Sequence, residues 1–323
     1  MNKVVVCCPG NSVTGGPELI HQFVDALNTR NVNASILYYP FDKSFDIPDA
    51  YKKYSVDKVE IQSVTEGDLV VVPEVATGLI NNFKRNKKFL WWLSVDNYFG
   101  YKDIKPIKEK VRHFRDILIK RKMSINEIKK AKVINLVQSQ YAKDFLLSHG
   151  MNSMALTDYL NEEHLEQLVD YSKKKKQIAY NPKKGVKHTK KLMLKFKEIE
   201  FIPIQHMSAI EVKALLQSSM IYIDFGKHPG KDRFPREAAM AGCCIITGKE
   251  GSAANSIDVK ILSRYKLDTS SMKFEDEFNR LVGTIFSDFN ACVSDFKDYR
   301  TVIASEKQLF NQQVEQFIKE FID

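Results

Sequence analysis

The sequence lacks the features that mark membrane-spanning, secreted and zinc-binding proteins. No run of about 18 apolar residues occurs, so we predict no transmembrane helix. The apolar run near the N-terminus is short and no small-residue cleavage site follows it, so we expect no signal peptide. The five cysteines are an odd number, and the adjacent pairs Cys7–Cys8 and Cys243–Cys244 do not have zinc-site spacing. We therefore expect buried, reduced cysteines in a cytoplasmic protein.

Several motifs that would identify a binding function directly are also missing. There is no Walker A loop and no G-x-G-x-x-G fingerprint. No stacking-aromatic module or helix-turn-helix signature accompanies the net charge of +9, so we predict no nucleic-acid partner. Internal repeats are absent as well, which leaves a globular enzyme or binding protein as the class to consider.

The length and the order of the apolar segments predict two α/β domains. At about 150 residues per domain, a chain of 323 residues suggests two. Apolar runs alternate with amphipathic ones, which predicts parallel sheets with helices on both faces. We predict strands over 3–8, 33–39, 68–73, 88–95 and 131–139, and again over 177–180, 200–204, 220–225 and 243–247. The lysine run 173–176 reads as a solvated linker between the two halves.

We therefore predict two Rossmann-like, doubly wound domains that face each other across a cleft. The first domain comprises residues 1–170 and the second residues 171–302, and a final helix over 303–323 packs back toward the first domain. In such folds ligands bind on the loops that follow the carboxyl ends of the strands. We therefore expect the functional residues on these loops.

One segment of the first half is strongly basic. Residues 102–132 contain twelve Lys and Arg against four Asp and Glu. A helical apolar face runs through this segment, formed by Ile104, Ile107, Val111, Phe114 and Leu118. We expect this face to pack on its own domain. The alternative is that the segment docks on an anionic membrane surface or on an anionic acceptor.

Three predicted loops of the first domain carry candidate residues. Gly15 and Gly16 precede a helix, where backbone N–H groups and the helix dipole can face an anion. Glu74 and Asp96 each follow a buried strand, so either carboxylate can serve as a general base. A plain turn is the alternative interpretation for all three loops.

Two loops of the second domain gather cations ahead of helices. The segment after the strand 177–180 carries Asn181, Lys183, Lys184 and Lys187, a pattern that fits a diphosphate at a helix N-terminus or else a solvated charge run. The segment after the strand 220–225 carries His228, Lys231, Arg233 and Arg236. Glu237 then follows at the predicted first turn of a short helix, and its two oxygens suit the two hydroxyls of a ribose. Together the loops predict a nucleotide diphosphate site.

These stretches resemble the GT-B glycosyltransferases, and in particular the large retaining group that builds bacterial surface glycans from nucleotide sugars. TGGPE is similar to the family's N-terminal glycine loop, SQYAKDFLLSHG and ALTDYLNEEHL to its serine-aromatic helix and linker segment, and YNPKKG to its basic phosphate loop. FPREAAMAGCCIITGKEGSAAN is similar to the donor-site helix, strand and glycine loop, which includes Ser252. The similarity extends over residues 3–258.

The resemblance implies a hexosyltransferase that takes its sugar from a nucleotide diphospho-sugar and needs no metal, since no Asp-x-Asp motif occurs. It implies a glycan or lipid-linked acceptor, a role in cell-surface or capsule polysaccharide synthesis, and a place in the cytoplasm, at the inner face of the membrane if the basic segment docks there. Glu237 matches the second of two family glutamates, the one that binds ribose. Pro229 stands where the first, near the sugar, would be, and His228, Asp232 or the backbone of residues 228–231 can take that role.

Two further departures leave the mechanism open. The family often has a histidine where this chain has Ser94 and Asp96, so both a retaining and an inverting displacement remain open. The loss of the first glutamate also keeps a second hypothesis alive, a catalytically silent partner subunit that binds nucleotide or supports another transferase.

Overall fold

The structure, a computed structural model, describes residues 3–100, 106–165 and 169–323, with the backbone alone at residues 106 and 107. Its contacts divide the chain into two compact units. The first unit is Met1–Asp158 together with Gln308–Asp323, and the second is Tyr159–Lys307. The chain thus passes from the first unit to the second after Asp158, ahead of the predicted boundary at 170.

The first unit is built on a parallel sheet. Its strands are β1 (Val4–Pro9), β2 (Ala34–Tyr39), β3 (Asp57–Lys58), β4 (Leu69–Pro73), β5 (Lys87–Trp92), β6 (Ile134–Val137) and β7 (Ser153–Ala155). They lie in the order β3-β2-β1-β4-β5-β6-β7, and each neighbouring pair is parallel. The helices between them are α1 (Gly15–Asn28), α2 (Val95–Phe99), α3 (Pro106–Leu118), α4 (Ile125–Lys130) and α5 (Gln140–Ser148).

The second unit repeats this plan with fewer strands. They are β8 (Lys175–Tyr180), β9 (Glu200–Pro203), β10 (Ser219–Asp224) and β11 (Cys244–Thr247), arranged in parallel in the order β11-β10-β8-β9. The helices are α6 (Glu162–Leu165), α7 (Val186–Lys195), α8 (Ala209–Ser218), α9 (Arg233–Met240), α10 (Phe274–Ser287) and α11 (Phe289–Ser294). Helix α12 (Lys297–Phe321) begins in this unit, and its last residues belong to the first.

Continuous apolar strands form the two cores, as the sequence predicts for parallel sheets covered on both faces. The first five residues of β1 are fully buried, and so are all five cysteines, which are unbridged. The indole nitrogens of the buried Trp91 and Trp92 still find acceptors, at 3.0 Å from the Leu156 carbonyl oxygen and 3.0 Å from Asn135 Oδ1. The prediction of doubly wound parallel sheets is confirmed.

The interpretation of the lysine run as a solvated linker is wrong for Lys174. Its ammonium is buried and donates to the carbonyl oxygens of Leu216, Ser219 and Ala241 at 2.9, 2.9 and 2.7 Å. These carbonyls lie at the ends of helices and at the start of a strand, where backbone acceptors are left over. Lys174 therefore satisfies three buried backbone acceptors of the second unit. Strand β8 begins at the next residue, Lys175.

The expectation that the apolar face of the basic segment packs on its own domain is also wrong in the part that the structure describes. Val111, Phe114 and Leu118 on α3 are 64, 64 and 66% exposed. The opposite face packs inward, where His113 contacts the rings of Tyr98 and Phe99. Ile104 and the side chain of Ile107 lie outside the described residues, as do residues 102 and 103. No described helix is long and apolar enough to cross a membrane.

Candidate functional site

The loop between β8 and α7 presents cations at the carboxyl edge of the second sheet. Asn181 Oδ1 accepts the Lys183 N–H at 3.0 Å, which makes a tight turn. Gly185 follows with φ +56°, a conformation that disfavours side chains, and a Cβ there would lie 2.4 Å from the Phe225 carbonyl carbon. Lys183 and Lys187 are exposed, while Lys184 pairs with Asp232. Asn181 thus shapes the loop, and the lysines supply its charge.

Helix α9 begins earlier than predicted, and this changes the position of Glu237. Asp232 is the residue before the helix and Arg233 is its first residue, so Glu237 is the fifth residue. The prediction that Glu237 lies in the first turn of the helix is therefore wrong. Its carboxylate oxygen instead lies 3.4 Å from Arg233 Nε and 3.8 Å from His164 Nε2. Glu237 is a mostly buried carboxylate between two basic side chains.

Two of the predicted phosphate-binding cations are bound within the protein. Arg236 is fully buried, and its guanidinium donates to Glu306 Oε2 at 2.7 Å. Lys231 Nζ lies 2.6 Å from the other oxygen, Glu306 Oε1. One buried carboxylate from α12 thus holds both cations. This placement indicates that Lys231 and Arg236 anchor the start of α9. Of the predicted cations in this segment, Arg233 is the one whose side chain reaches Glu237.

His228 is fully buried, so its ring cannot lie against a sugar in this structure. Its Nδ1 is 2.9 Å from Asp232 Oδ2 and its Nε2 is 3.6 Å from Asp224 Oδ1. Burial of the ring lowers its pKa, and the two carboxylates more than reverse this, so the pKa is raised overall. His228 holds the loop between β10 and α9 in place.

The loop after β11 is tied to the same segment. The Ser252 N–H donates to the His228 carbonyl oxygen at 2.8 Å, and its hydroxyl donates to the Gly230 carbonyl oxygen at 2.5 Å. Gly251 has φ +61°, and a Cβ there would lie 2.1 Å from the His228 carbonyl oxygen. Only glycine allows this approach of the two backbones.

The candidates of the first unit lie at the carboxyl ends of β1, β4 and β5. Helix α1 begins at Gly15 without a side-chain cap, so its first N–H groups are left for other acceptors. Glu74 is buried, and its Oε2 accepts the Leu93 N–H at 3.0 Å. Burial raises the pKa of Glu74 to about 8, against the opposing effect of N–H donors. Asp96, also buried, accepts the Tyr141 hydroxyl at 3.2 Å.

The fold of the chain is shared by solved structures, although no protein-family model and no curated protein sequence matches the chain. HepE from Anabaena, in complex with UDP and glucose, superposes with a TM-score of 0.66 at 10% identity, over 99% of this chain and 100% of the other. Sucrose-phosphate synthase from Thermosynechococcus elongatus gives 0.70 at 9% identity over 99% of both chains.

The lipopolysaccharide outer core galactosyltransferase WaaB gives a TM-score of 0.59 at 13% identity, over 97% of this chain and 99% of the other. The chain has the GT-B fold. The resemblance that the loop motifs suggest is therefore confirmed at the level of the fold.

The charged loops of the second unit also contact residues that were not among the predicted site residues. Glu306 and His164 come from distant segments, and a sequence pattern cannot bring them next to α9. Asp224 is the last residue of β10, and its position as a carboxylate at a strand end is the one sequence feature that could have indicated it. Of the second-unit candidates, the structure brings Lys184, His228, Arg233 and Glu237 into the charged loops around the start of α9.

Proposed function

We propose that the protein is a glycosyltransferase that moves a sugar, a hexose by preference, from a nucleotide diphospho-sugar to an acceptor. The observation that carries this is the pairing of Glu237 with Arg233 and His164 beside the lysine loop, on a GT-B framework. A carboxylate with two oxygens suits the two hydroxyls of a ribose, and cations next to a helix N-terminus suit a diphosphate.

The donor residues divide into those that contact the nucleotide and those that hold the loops. We assign Lys183, Lys184 and Lys187 to the diphosphate and Glu237 to the ribose. Arg233 neutralises Glu237 until the ribose arrives. We assign the remaining donor candidates to the shape of the site: Asn181, Lys231, Arg236 and Ser252.

We propose that departure of the diphosphate is stabilised by these cations and by helix dipoles, without a metal ion. Asp96 then acts as the general base toward the acceptor hydroxyl. Glu74 is mostly protonated at neutral pH, since its pKa is raised to about 8, so it suits a proton donor better than a base. Excess EDTA should leave the transfer rate unchanged, and loss of activity that Mg²⁺ restores would contradict the metal-free route.

A thermal-shift screen with UDP-, GDP-, ADP-, CDP- and TDP-sugars tests the donor assignment. Ligand at 100 times its Kd stabilises the folded state by about 2.7 kcal/mol, so one class of sugar nucleotide should raise the Tm by several degrees. Release of free nucleotide diphosphate by the purified protein then separates a transferase from a silent partner subunit. Binding without any turnover, with a range of glycan acceptors, would favour the silent partner.

We propose further that the acceptor is a lipid-linked glycan of a cell-surface or capsule polysaccharide, reached at the inner face of the membrane. The support is α3, whose apolar residues Val111, Phe114 and Leu118 are exposed beside cationic ones. Exposed large apolar side chains favour a bilayer over a purely ionic partner such as nucleic acid. Each cation near an anionic bilayer contributes about 1 kcal/mol.

Flotation with vesicles tests this docking. The protein should float with phosphatidylglycerol vesicles and not with phosphatidylcholine vesicles, and the double substitution Phe114→Ser with Leu118→Ser should abolish flotation. Leu194→Ser on α7, a residue that is 75% exposed, is the matched control and should float like the wild type. Equal flotation of both variants, or tighter binding to duplex DNA than to the vesicles, would refute membrane docking by α3.

A further inference from the structure

Four charged or titratable side chains form a cluster under the loops of the second unit. We call Lys184, Asp224, His228 and Asp232 the Asp232 cluster. One oxygen of Asp232, Oδ2, is shared between His228 Nδ1, at 2.9 Å, and the Lys184 ammonium, which forms an ion pair with it. The other ring nitrogen of His228 faces Asp224 Oδ1 at 3.6 Å. The imidazole thus lies between two carboxylates, one of which also holds a lysine.

The cluster joins three separate parts of the proposed donor site. Lys184 belongs to the loop before α7, Asp224 ends β10, and Asp232 directly precedes α9. The loops themselves are in close backbone contact, since a Cβ on Gly185 would lie 2.5 Å from the Gly226 nitrogen. A change in the partner of Asp232 therefore acts directly on the start of α9, the helix that carries Glu237.

The charges of the cluster depend on His228. When the imidazole is neutral, the carboxylates of Asp224 and Asp232 and the ammonium of Lys184 give the largely buried cluster a net charge of −1. Protonation of His228 brings the sum to zero. Lys184 opposes this protonation, because its charge lowers the pKa of His228 while the carboxylates raise it. Burial alone would raise the pKa of Asp232, and Lys184 together with His228 lowers it to about 2, so Asp232 stays ionised.

We propose that a nucleotide diphosphate draws Lys184 away from Asp232 on binding, and that His228 then takes up a proton and holds Asp232 in its place. One proton moves from solvent to the ring nitrogen of His228 that carries no proton, and no other bond changes. His228 is in this account a positioning residue that keeps the start of α9 in place while Lys184 serves the phosphates. The inference rests on the proposed function, because it requires a diphosphate at Lys184.

Two features favour proton uptake over a simple loss of the ion pair. Asp224 accepts the Tyr222 hydroxyl at 3.3 Å and the Gly226 N–H at 3.0 Å. Without the charge of Lys184, a neutral His228 would still leave two negative charges next to a fully buried ring, which is costly. His228 Nδ1 already lies 2.9 Å from Asp232 Oδ2, so protonation places the new charge directly beside that carboxylate. One ring nitrogen of His228 and one carboxylate oxygen each of Asp224 and Asp232 lie within 4.8 Å of one another, close enough for one added charge to serve both carboxylates.

Titration calorimetry with UDP tests the proposal. The experiment is run at about pH 8, where the UDP phosphate is already ionised because its second pKa is near 6. Binding enthalpies in buffers of different ionisation enthalpy give the number of protons taken up. We expect up to about one proton per UDP, and a Kd that rises up to about tenfold per pH unit above the pKa of free His228.

His228→Asn and His228→Gln should bind UDP without proton uptake, because an amide does not titrate. His206→Asn is the matched control: His206 is an exposed histidine with φ +55°, a conformation that asparagine tolerates, and it should keep the uptake. Thermal unfolding of each variant verifies that it is folded. If neither His228 variant is folded, a histidine NMR titration of ligand-free Lys184→Met replaces them: the pKa of His228 should be higher than in the wild type because Lys184 lowers it, and an equal or lower pKa overturns the proposal.

The outcomes separate this inference from the proposed function. UDP binding without proton uptake by the wild type, or with the same uptake in the variants, overturns the role of His228 and leaves the donor site standing. No binding of UDP, GDP, ADP, CDP or TDP overturns both.

Discussion

The carboxylate of Glu306 should be among the most costly single charges to remove from this protein. It is the anion that faces Arg236 and Lys231, and Arg236 and Glu306 are 0 and 2% exposed. Glu306→Gln keeps the size of the side chain and removes its charge, so a buried guanidinium loses its counter-ion. Breaking a buried pair in this way costs about 3–5 kcal/mol. At about 2–4 °C per kcal/mol, the Tm should fall by roughly 6–20 °C.

Differential scanning calorimetry of Glu306→Gln measures this loss, and Glu315→Gln on the same helix is the control. Glu315 pairs with Arg30 at 3.3 Å, but its side chain is 65% exposed, so its removal should cost no more than about 1 kcal/mol. Equal Tm values for the two variants would refute the anchoring role of Arg236 and Lys231. Normal stability of Glu306→Gln together with an altered UDP affinity would indicate that Arg236 and Lys231 bind the phosphates.

Three further predictions follow from the site. Glu74→Gln should change the pH dependence of stability, because the folded-state pKa of Glu74 is raised to about 8 from 4.5. Between these two pH values the free energy of unfolding of the wild type should fall by about 1.4 kcal/mol per pH unit relative to the variant. Urea denaturation at several pH values measures this, and the same pH dependence in both proteins would contradict it. Asp96→Asn should lower kcat by about 100-fold or more with little change in donor Kd, and a fully active variant would remove Asp96 from the chemistry. Gly185→Ala should lower the Tm through the clash with Phe225, whereas Gly283→Ala, which meets nothing within 4 Å, should raise it slightly; the reverse order would contradict the close packing of the loop.

The sheets could be predicted from the sequence because buried parallel strands are read as continuous apolar runs. The predicted strand 68–73 is β4 (Leu69–Pro73), and 220–225 is β10 (Ser219–Asp224). Short or edge strands gave no such signal: β3 has two residues, both exposed, and β7 has three. Neither strand was predicted, since neither contains enough buried apolar residues to form a pattern.

The start of α9 could not be predicted from its residues alone. Pro235 suggests a first helical position, but a proline in any position of the first turn loses no helical hydrogen bond. The helix therefore begins at Arg233, and Glu237 moves from the first turn to the second. Asp232 precedes the helix, and its carboxylate binds Lys184 and His228 instead of capping the helix.

The roles of the cations depended on partners far away in the sequence. Arg236 and Glu306 are separated by 70 residues, and the predicted phosphate loop gave no indication that Glu306 would occupy both Arg236 and Lys231. The same holds for α3, where amphipathic spacing indicates one apolar face but not which face packs inward. Motifs thus identified the loops, but they did not indicate the tertiary ion pairs that hold Arg236 and Lys231.

We propose that Glu237 binds the ribose of a nucleotide sugar in the second unit. Titration calorimetry with the sugar nucleotide selected by thermal shift tests it most directly, on the wild type, on Glu237→Ala and on the exposed-residue control Glu198→Ala. We predict that Glu237→Ala binds at least tenfold more weakly, a loss of about 1.4 kcal/mol, and that the control binds like the wild type. Equal affinity of a folded Glu237→Ala protein would contradict the claim.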